Sequence, residues 1–284
     1  MKIGITGITG HFGYDVVQDL IKQGYNTDNI IGLARNVEKA KERTNSAIEI
    51  READFNNLEL MKEALRGLDR ILLVSTKEPD PQKRILQHTN VIKAAKSNSI
   101  SLLVYTSGTK PDQNPLGLAH EKTEEFLQSS GVPYIILRNN YYLEVKLNDI
   151  QRAINNQPIV TNVGNGKFGL ALRSEYAQVA ANVLINPPAI NKTYNLTANL
   201  VNYATFASAL EKVLNKPVKL KNITDDEMEK AMINNNIPKP VASLMTKANA
   251  AIRNGAGNEV SDDFTKLLGR QPKGLEESIR AILK

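Results

Sequence analysis

The first half of the chain alternates between two hydrophobic rhythms. Short, nearly continuous apolar runs occupy Ile3–Thr6, Ile30–Ala34, Ile48–Ala53, Arg70–Val74, Ile100–Tyr105 and Val132–Leu137, the pattern of strands buried on both faces. Between them, apolar residues recur at helical spacing. Val16, Val17, Leu20 and Ile21 precede Gly24, Leu58, Met61 and Leu65 precede Gly67, and Ile85, His88, Ile92 and Ala95 form one stripe within Gln82–Ser97. Asn36 and Asn57 stand at N-cap positions, the first ahead of a charged helix running through Thr44, and Gly131 ends a helix over Ala119–Ser130. Five strand–helix units and a closing strand predict an α/β fold of the Rossmann type, a doubly wound parallel sheet with helices on both faces.

From Arg138 onward the pattern loosens. Short strands are expected at Ile159–Thr161, Gly169–Leu172, Tyr194–Leu196 and Val218–Lys221. Helices are expected at Ser174–Leu184, with Ser174 as N-cap, and at Tyr203–Leu214, Asp225–Ile233 and Val241–Ile252. Asn254-Gly255-Ala256-Gly257-Asn258 breaks the chain before a last amphipathic pair. This divides the chain into a nucleotide-type domain over residues 1–157 and a smaller C-terminal α/β lobe over 158–284, partly interleaved with the sheet.

Composition mainly excludes. The absence of cysteine rules out a disulfide framework, thiolate catalysis and cysteine-ligated metals, and it fits a reducing compartment, with the cytoplasm as the expected location. His11, His88 and His120 share no ligand spacing, so no metal site is expected. Met1-Lys2 runs straight into the first strand, and no apolar run approaches the roughly 18 residues of a membrane span. Neither a signal peptide nor a membrane segment is therefore expected. The net charge is +6, but bases interleave with acids, as in Glu38-Lys39-Ala40-Lys41-Glu42-Arg43. That describes a solvated helix face rather than a nucleic-acid surface, and the positive balance favours an anionic small ligand.

Chemistry enters at the first strand–helix junction, Gly7-Ile8-Thr9-Gly10-His11-Phe12-Gly13. A buried strand feeding a glycine-rich turn that opens a helix suits a dinucleotide diphosphate, because the first helical turn leaves backbone N–H groups unpaired at the positive end of the helix dipole. The spacing is G-x-x-G-x-x-G. Arg35, about 22 residues past Gly13, follows the second strand where an acidic residue would bind a free ribose. Its guanidinium suits a 2′-phosphate and points to NADP(H), the alternative being an exposed arginine at a strand end. Asp54, after the third strand, is either an adenine contact or a turn cap. Ser75, Thr76 and Lys77, after the fourth strand, should border the cofactor because ligands of such sheets sit beyond the strands' carboxyl ends. His88, on an apolar helix stripe, is expected to pack or hydrogen-bond rather than catalyse.

The ordered set Ile5-Thr6-Gly7-Ile8-Thr9-Gly10, Ala34-Arg35-Asn36, Gln87-His88-Thr89-Asn90-Val91, Tyr105-Thr106-Ser107, Leu137-Arg138-Asn139 with Tyr142, and Thr193-Tyr194-Asn195-Leu196 resembles the NmrA-like branch of the atypical short-chain dehydrogenases. That branch includes members that reduce quinones and triphenylmethane dyes. The resemblance implies NADP(H) held by Gly7, Ile8, Thr9, Gly10, His11, Phe12 and Gly13, by Arg35, by Ser75, Thr76 and Lys77, and by the stretch after strand six, Asn139, Asn140, Tyr141 and Tyr142. It also implies a nicotinamide facing a cleft roofed by the C-terminal lobe.

One departure bears on mechanism. Leu118-Ala119-His120-Glu121-Lys122-Thr123-Glu124 carries no Tyr-x-x-x-Lys pair on the helix after strand five, and Tyr142-Leu143-Glu144-Val145-Lys146 matches that string only after strand six. A sugar-nucleotide epimerase is thereby disfavoured. Hydride delivery to a quinone or electron-poor dye asks mainly for alignment of donor and acceptor, with the proton coming from water or a nearby hydroxyl. Tyr142 and Asn139 are the candidates for contacting acceptor or nicotinamide, and His120 is a candidate proton donor. The expected function is an NADPH-dependent reductase of quinones or similar conjugated acceptors. The alternative is a non-catalytic, NADP-sensing regulator that binds a partner protein. The expected partner for the reductase is a small-molecule acceptor, with a homodimer as its protein association, and no nucleic acid or membrane.

Overall fold

Helices bury both faces of the first strand, which is why its apolar residues do not alternate with polar ones. The computed structural model describes residues 1–284. Strand–helix units open the chain: β1 (Ile3–Thr6) and α1 (His11–Lys22), β2 (Ile30–Ala34) and α2 (Val37–Arg43), β3 (Glu49–Glu52) and α3 (Leu58–Ala64), β4 (Arg70–Leu73) and α4 (Pro81–Ser97), β5 (Leu102–Gly108) and α5 (Leu118–Ser129). Then come β6 (Tyr134–Asn139), β7 (Tyr141–Tyr142), α6 (Leu147–Ile154), β8 (Ile159–Thr161), β9 (Phe168–Ala171), α7 (Arg173–Ile185) and β10 (Lys192–Leu196). The last stretch holds β11 (Leu200–Val201), α8 (Tyr203–Leu214), β12 (Leu220–Asn222), α9 (Asp225–Asn234), α10 (Lys239–Arg253), α11 (Asp263–Leu268) and α12 (Leu275–Ile282).

The main sheet has seven strands in the order β3-β2-β1-β4-β5-β6-β10, all parallel. Its side chains alternate between two cores. Ile3, Ile5, Leu72, Val104, Ile135 and Leu137 face α1 and α7, whereas Ile31, Leu33, Ile71, Leu103, Tyr105 and Ile136 face α3, α4 and α5. The strand order reverses between β1 and β4, which opens a crevice beyond the strands' carboxyl ends. Edge strand β3 is exposed at Glu49 and Glu52, charges that discourage pairing with another chain. A third core, with Phe168, Leu170, Phe206 and Leu210, lies under β9 and α8. No helix is long and apolar enough to cross a membrane.

The expected Rossmann sheet is present, and its caps act as expected: Asn36 Oδ1 accepts the Lys39 N–H at 2.9 Å and Asn57 Oδ1 the Leu60 N–H at 3.0 Å. Several boundaries differ. β5 and β6 start and end later than the apolar runs suggest, because their ladder continues through Thr106↔Leu137, Ser107↔Arg138 and Gly108↔Asn139. The stretch expected as the short strand Tyr194–Leu196 runs from Lys192 and is the seventh strand of the main sheet, paired with β6. α7 starts at Arg173, not after a Ser174 cap: Leu172 occupies the N-cap without a side-chain bond. The Glu144 carboxylate accepts the Arg173 N–H instead, at 3.0 and 3.1 Å. α6 was not expected from the pattern.

Candidate active site

A cleft of about 970 Å³ crosses the carboxyl ends of the sheet at the strand-order reversal. There the glycine turn leaves no room for a side chain at Gly13. Gly7 has φ of +65°, a left-handed conformation suited to glycine. A Cβ on Gly13 would lie 2.6 Å from the Gly7 carbonyl oxygen and 2.7 Å from that of Thr6. Gly10 is the N-cap of α1 and offers no side chain to cap it, so the N–H groups of the first turn face the cleft available to an anion.

The exits of β4 are pinned by side chains from its neighbours. Thr6 Oγ1 accepts the Val74 N–H at 2.8 Å, Thr106 Oγ1 accepts the Ser75 N–H at 3.0 Å and His88 Nε2 accepts the Thr76 N–H at 3.1 Å. His88 is thus a structural hydrogen-bonder. With Nε2 an acceptor, its proton sits on Nδ1, 2.9 Å from Thr123 Oγ1.

Most expected residues meet in this cleft. Gly7, Thr9, Gly10, His11, Phe12, Gly13, Arg35, Ser75, Thr76, Lys77, Asn139, Tyr142 and His120 all line it. Ile8, Asn140 and Tyr141 do not bring their side chains there. Ile8 is fully buried in the core beneath α1. Asn140 Nδ2 donates to Thr197 Oγ1 and to the Gly257 carbonyl, both at 3.2 Å, and the Tyr141 ring packs edge-on against Phe168. The chain changes sheets here: β6 ends at Asn139 in the main sheet and β7 starts at Tyr141, paired with β9, so no single alternation runs from Asn139 to Tyr142. Asp54 lines the cleft while its Oδ1 accepts the Asn56 N–H at 2.9 Å, the turn-capping reading.

Tyr142 stacks on Phe12 at 6.0 Å and 17°, and its hydroxyl accepts from Asn139 Nδ2 at 2.8 Å. Burial pushes the phenol up to about 12, with the Asn139 bond only partly opposing. Lys146 lies elsewhere: its Nζ donates to the Tyr203 hydroxyl at 2.7 Å and sits over the Phe168 and Tyr203 rings. The Tyr142/Lys146 string is therefore no catalytic pair.

His120 is half-buried at the cleft wall, and desolvation, followed by the Arg84 charge beside it, pushes its imidazole down to about 3. Arg84 Nη2 donates to His120 Nε2 at 3.1 Å, so the ring proton sits on Nδ1, 2.9 Å from the Tyr105 hydroxyl and turned into the core. The proton-donor role expected of His120 does not fit this geometry. Arg84 is the residue the sequence reading missed. It lies four positions before His88, on the same helix face, and that spacing was the available signal.

Three buried oxygens without a partner, Thr76 Oγ1, Gln87 Oε1 and Asn139 Oδ1, belong to residues of the cleft wall. Buried polar atoms are ordinarily satisfied, so such a group of them fits a ligand with several donors. With the glycine cradle, they fit a pyridine dinucleotide.

The neutral histidines carry a pH signature. His88 and His120 titrate near 6.5 in an unfolded chain and near 3 in the fold, so within that window the unfolded state holds the extra protons. Their contribution to stability is complete above pH 6.5 and is lost as pH falls. Urea midpoints should therefore drop on acidification, and His120→Gln should flatten that slope by up to about 1.4 kcal/mol per pH unit. Identical slopes in the two proteins would contradict a His120 held neutral by the fold.

Fold and cleft together define a pyridine-dinucleotide oxidoreductase of the Rossmann class. The chain belongs to the NAD(P)H-binding family whose model matches residues 7–187. It is 32% identical over 280 residues to quinone oxidoreductase 2 of Escherichia coli (strain K12), covering 98% of this chain and 97% of that one. Among solved structures, it superposes on triphenylmethane reductase of Citrobacter sp. complexed with NADP(H), with TM-score 0.91, 32% identity and 99% of both chains covered. It superposes equally on the NADPH complex of the Escherichia coli NADPH-dependent quinone oxidoreductase, with TM-score 0.92, 30% identity and 99% and 100% coverage.

Proposed function

We propose that the protein is an NADPH-dependent reductase that delivers hydride to a quinone or similar conjugated small-molecule acceptor. One observation carries this reading: beyond the glycine cradle, the wall formed by Thr106, Ser107, His120, Asn139 and Tyr142 contains no group poised to pass a proton. Tyr142 has no lysine beside it, and His120 is held neutral with its ring proton turned away from the cleft. Such a wall aligns reactants rather than exchanging protons, which suits an acceptor whose reduced form takes its proton from water. Bound NADPH would supply the hydride, leaving NADP⁺ and, from a quinone, a hydroquinone monoanion that water protonates.

The backbone of Gly7, Ile8, Thr9, Gly10, His11, Phe12 and Gly13 would hold the diphosphate, Arg35 the 2′-phosphate, and Ser75, Thr76, Lys77 and Asn139 the ribose and carboxamide. Asn140 and Tyr141 would act only by setting the backbone between Asn139 and Tyr142. Residues 158–284 would form the substrate lobe, with the stretch 173–196 returning to the sheet. A reducing, cytoplasmic compartment accords with the absence of cysteine. A homodimer would be read from the mass in solution by light scattering. The regulatory alternative finds no support in the relatives that share 30% or more identity over nearly the whole chain, which are named as a quinone oxidoreductase and a triphenylmethane reductase.

The test is NADPH oxidation with a simple quinone, followed at the reduced nicotinamide's absorbance. Stoichiometric consumption is expected, and no turnover across a panel of quinones and dyes would remove the proposal. Cofactor choice is a separate measurement. Arg35 is exposed at the cleft edge, and a guanidinium–phosphate hydrogen bond contributes about 1.5–3 kcal/mol. Arg35→Glu should therefore weaken NADPH at least roughly tenfold while leaving NADH nearly unchanged. An unaltered ratio of the two affinities would show that the 2′-phosphate is read elsewhere.

A further inference from the structure

We infer that Arg84 is a catalytic, specificity-determining residue of this cleft: its unpaired guanidinium receives the negative charge that an acceptor gains on reduction, and it selects neutral quinone-type acceptors over cationic dyes. This rests on the reductase reading above.

The observation is a cation with no counter-ion. Arg84 lines the cleft, and its bonds go to neutral groups only. Nε and Nη2 donate to Ser75 Oγ at 3.2 and 2.6 Å, and Nη2 donates to His120 Nε2 at 3.1 Å. Lys77 and Glu78 also line the cleft, but neither contacts it. A partly buried guanidinium ordinarily sits against a carboxylate, since desolvating it alone is costly. Here burial disfavours the charge and only the Tyr105 phenol opposes. Ser75 and His120 fix two of its nitrogens and leave Nη1 without a protein partner.

The restraint extends into the core. Because His120 accepts from Arg84, its Nδ1 proton is committed to the Tyr105 hydroxyl, so the imidazole cannot swing away without breaking both bonds. The result is a fixed positive charge, held in place and partly shielded from water in advance, of the kind that stabilises developing anionic charge. For a neutral quinone the added electron pair ends as phenolate charge, which Arg84 can bond. A triphenylmethane cation becomes neutral on reduction, so the same charge opposes its binding and gains nothing afterwards.

The experiment compares wild type, Arg84→Gln and Arg84→Lys with NADPH and two acceptors, a neutral quinone and a cationic triphenylmethane dye. Arg84→Gln should lower kcat/KM for the quinone roughly 10- to 100-fold more than for the dye, and Arg84→Lys should keep the wild-type preference. Equal losses on both acceptors would assign Arg84 a structural role and overturn the inference.

A second readout needs no turnover. With NADP⁺ present, 4-nitrophenol titrated spectroscopically should show a lowered pKa on binding wild type and not on binding Arg84→Gln. No difference between the two proteins overturns the inference. A wild type that reduces neither acceptor, yet shifts the phenol, would sink the reductase reading alone.

Discussion

Gly13→Ala is expected to abolish NADPH binding, with a loss of at least about 100-fold in affinity and a lowered melting temperature. The new Cβ would sit 2.6 Å from the Gly7 carbonyl oxygen and 2.7 Å from both the Gly7 carbonyl carbon and the Thr6 oxygen. All three are backbone atoms at the end of β1, so no side chain can turn aside. Either α1 lifts from the sheet or the turn opens. Lifting α1 withdraws Phe12, Val16, Val17 and Leu20 from the core they share with Ile3 and Ile5, and opening the turn disperses the N–H groups that would face the diphosphate. Gly10→Ala is the control for folding, because its Cβ would meet only the Gly7 oxygen at 3.2 Å, and its backbone is extended, a conformation any residue adopts. Calorimetric titration with NADPH and thermal melting separate the outcomes. A Gly13→Ala protein that binds NADPH like wild type would show that the cofactor's phosphates are not held at this turn.

The glycine turn was legible because each of its requirements is local: a buried run, a left-handed position and a close helix–strand approach all fall within residues 3–13. The same holds for the N-caps at Asn36 and Asn57, whose side chains reach only three residues ahead. What the sequence could not convey was which distant segments meet. Lys192–Leu196 reads as a short strand wherever it is placed, and only its pairing with Ile135–Asn139 makes it part of the main sheet. Ser174 looked like a cap because serine often is one, yet the first N–H of α7 is taken by Glu144, distant in sequence. Periodicity put His88 on a buried stripe but could not show that Arg84, one turn earlier, would reach the cleft with no acid to meet it. Nor could it show that His120 would be turned inward by that arginine. The cofactor end of the site is encoded in contiguous residues, whereas the acceptor end is assembled from α4, α5, β5 and β6, and assembly leaves little trace in any one of them.

That assembly has a single buried anion behind it, and removing it should be the most destabilising change outside the apolar cores. Glu124 on α5 is only 3% exposed. It accepts from Arg138 Nε at 3.0 and 3.2 Å and from Arg138 Nη2 at 2.6 Å, and from the Ser107 hydroxyl as well. One carboxylate thus ties α5 to the ends of β5 and β6, directly behind the cleft residues Ser107 and Asn139. Glu124→Ala would leave the Arg138 guanidinium without its counter-ion and the Ser107 hydroxyl without an acceptor. Breaking a buried pair from one side costs about 3–5 kcal/mol, and urea denaturation should show a loss of that size. Glu124→Gln keeps an acceptor but surrenders the charge, so about 1.5–3 kcal/mol is expected. The double variant Glu124→Ala/Arg138→Met should lose less than the sum of its two single changes, because the stranded charge is removed along with its partner. Additive losses, or a Glu124→Ala effect below about 1 kcal/mol, would mean that the pair behaves as a surface ion pair. In that case the rigidity of the acceptor wall would have to come from the β5–β6 ladder alone.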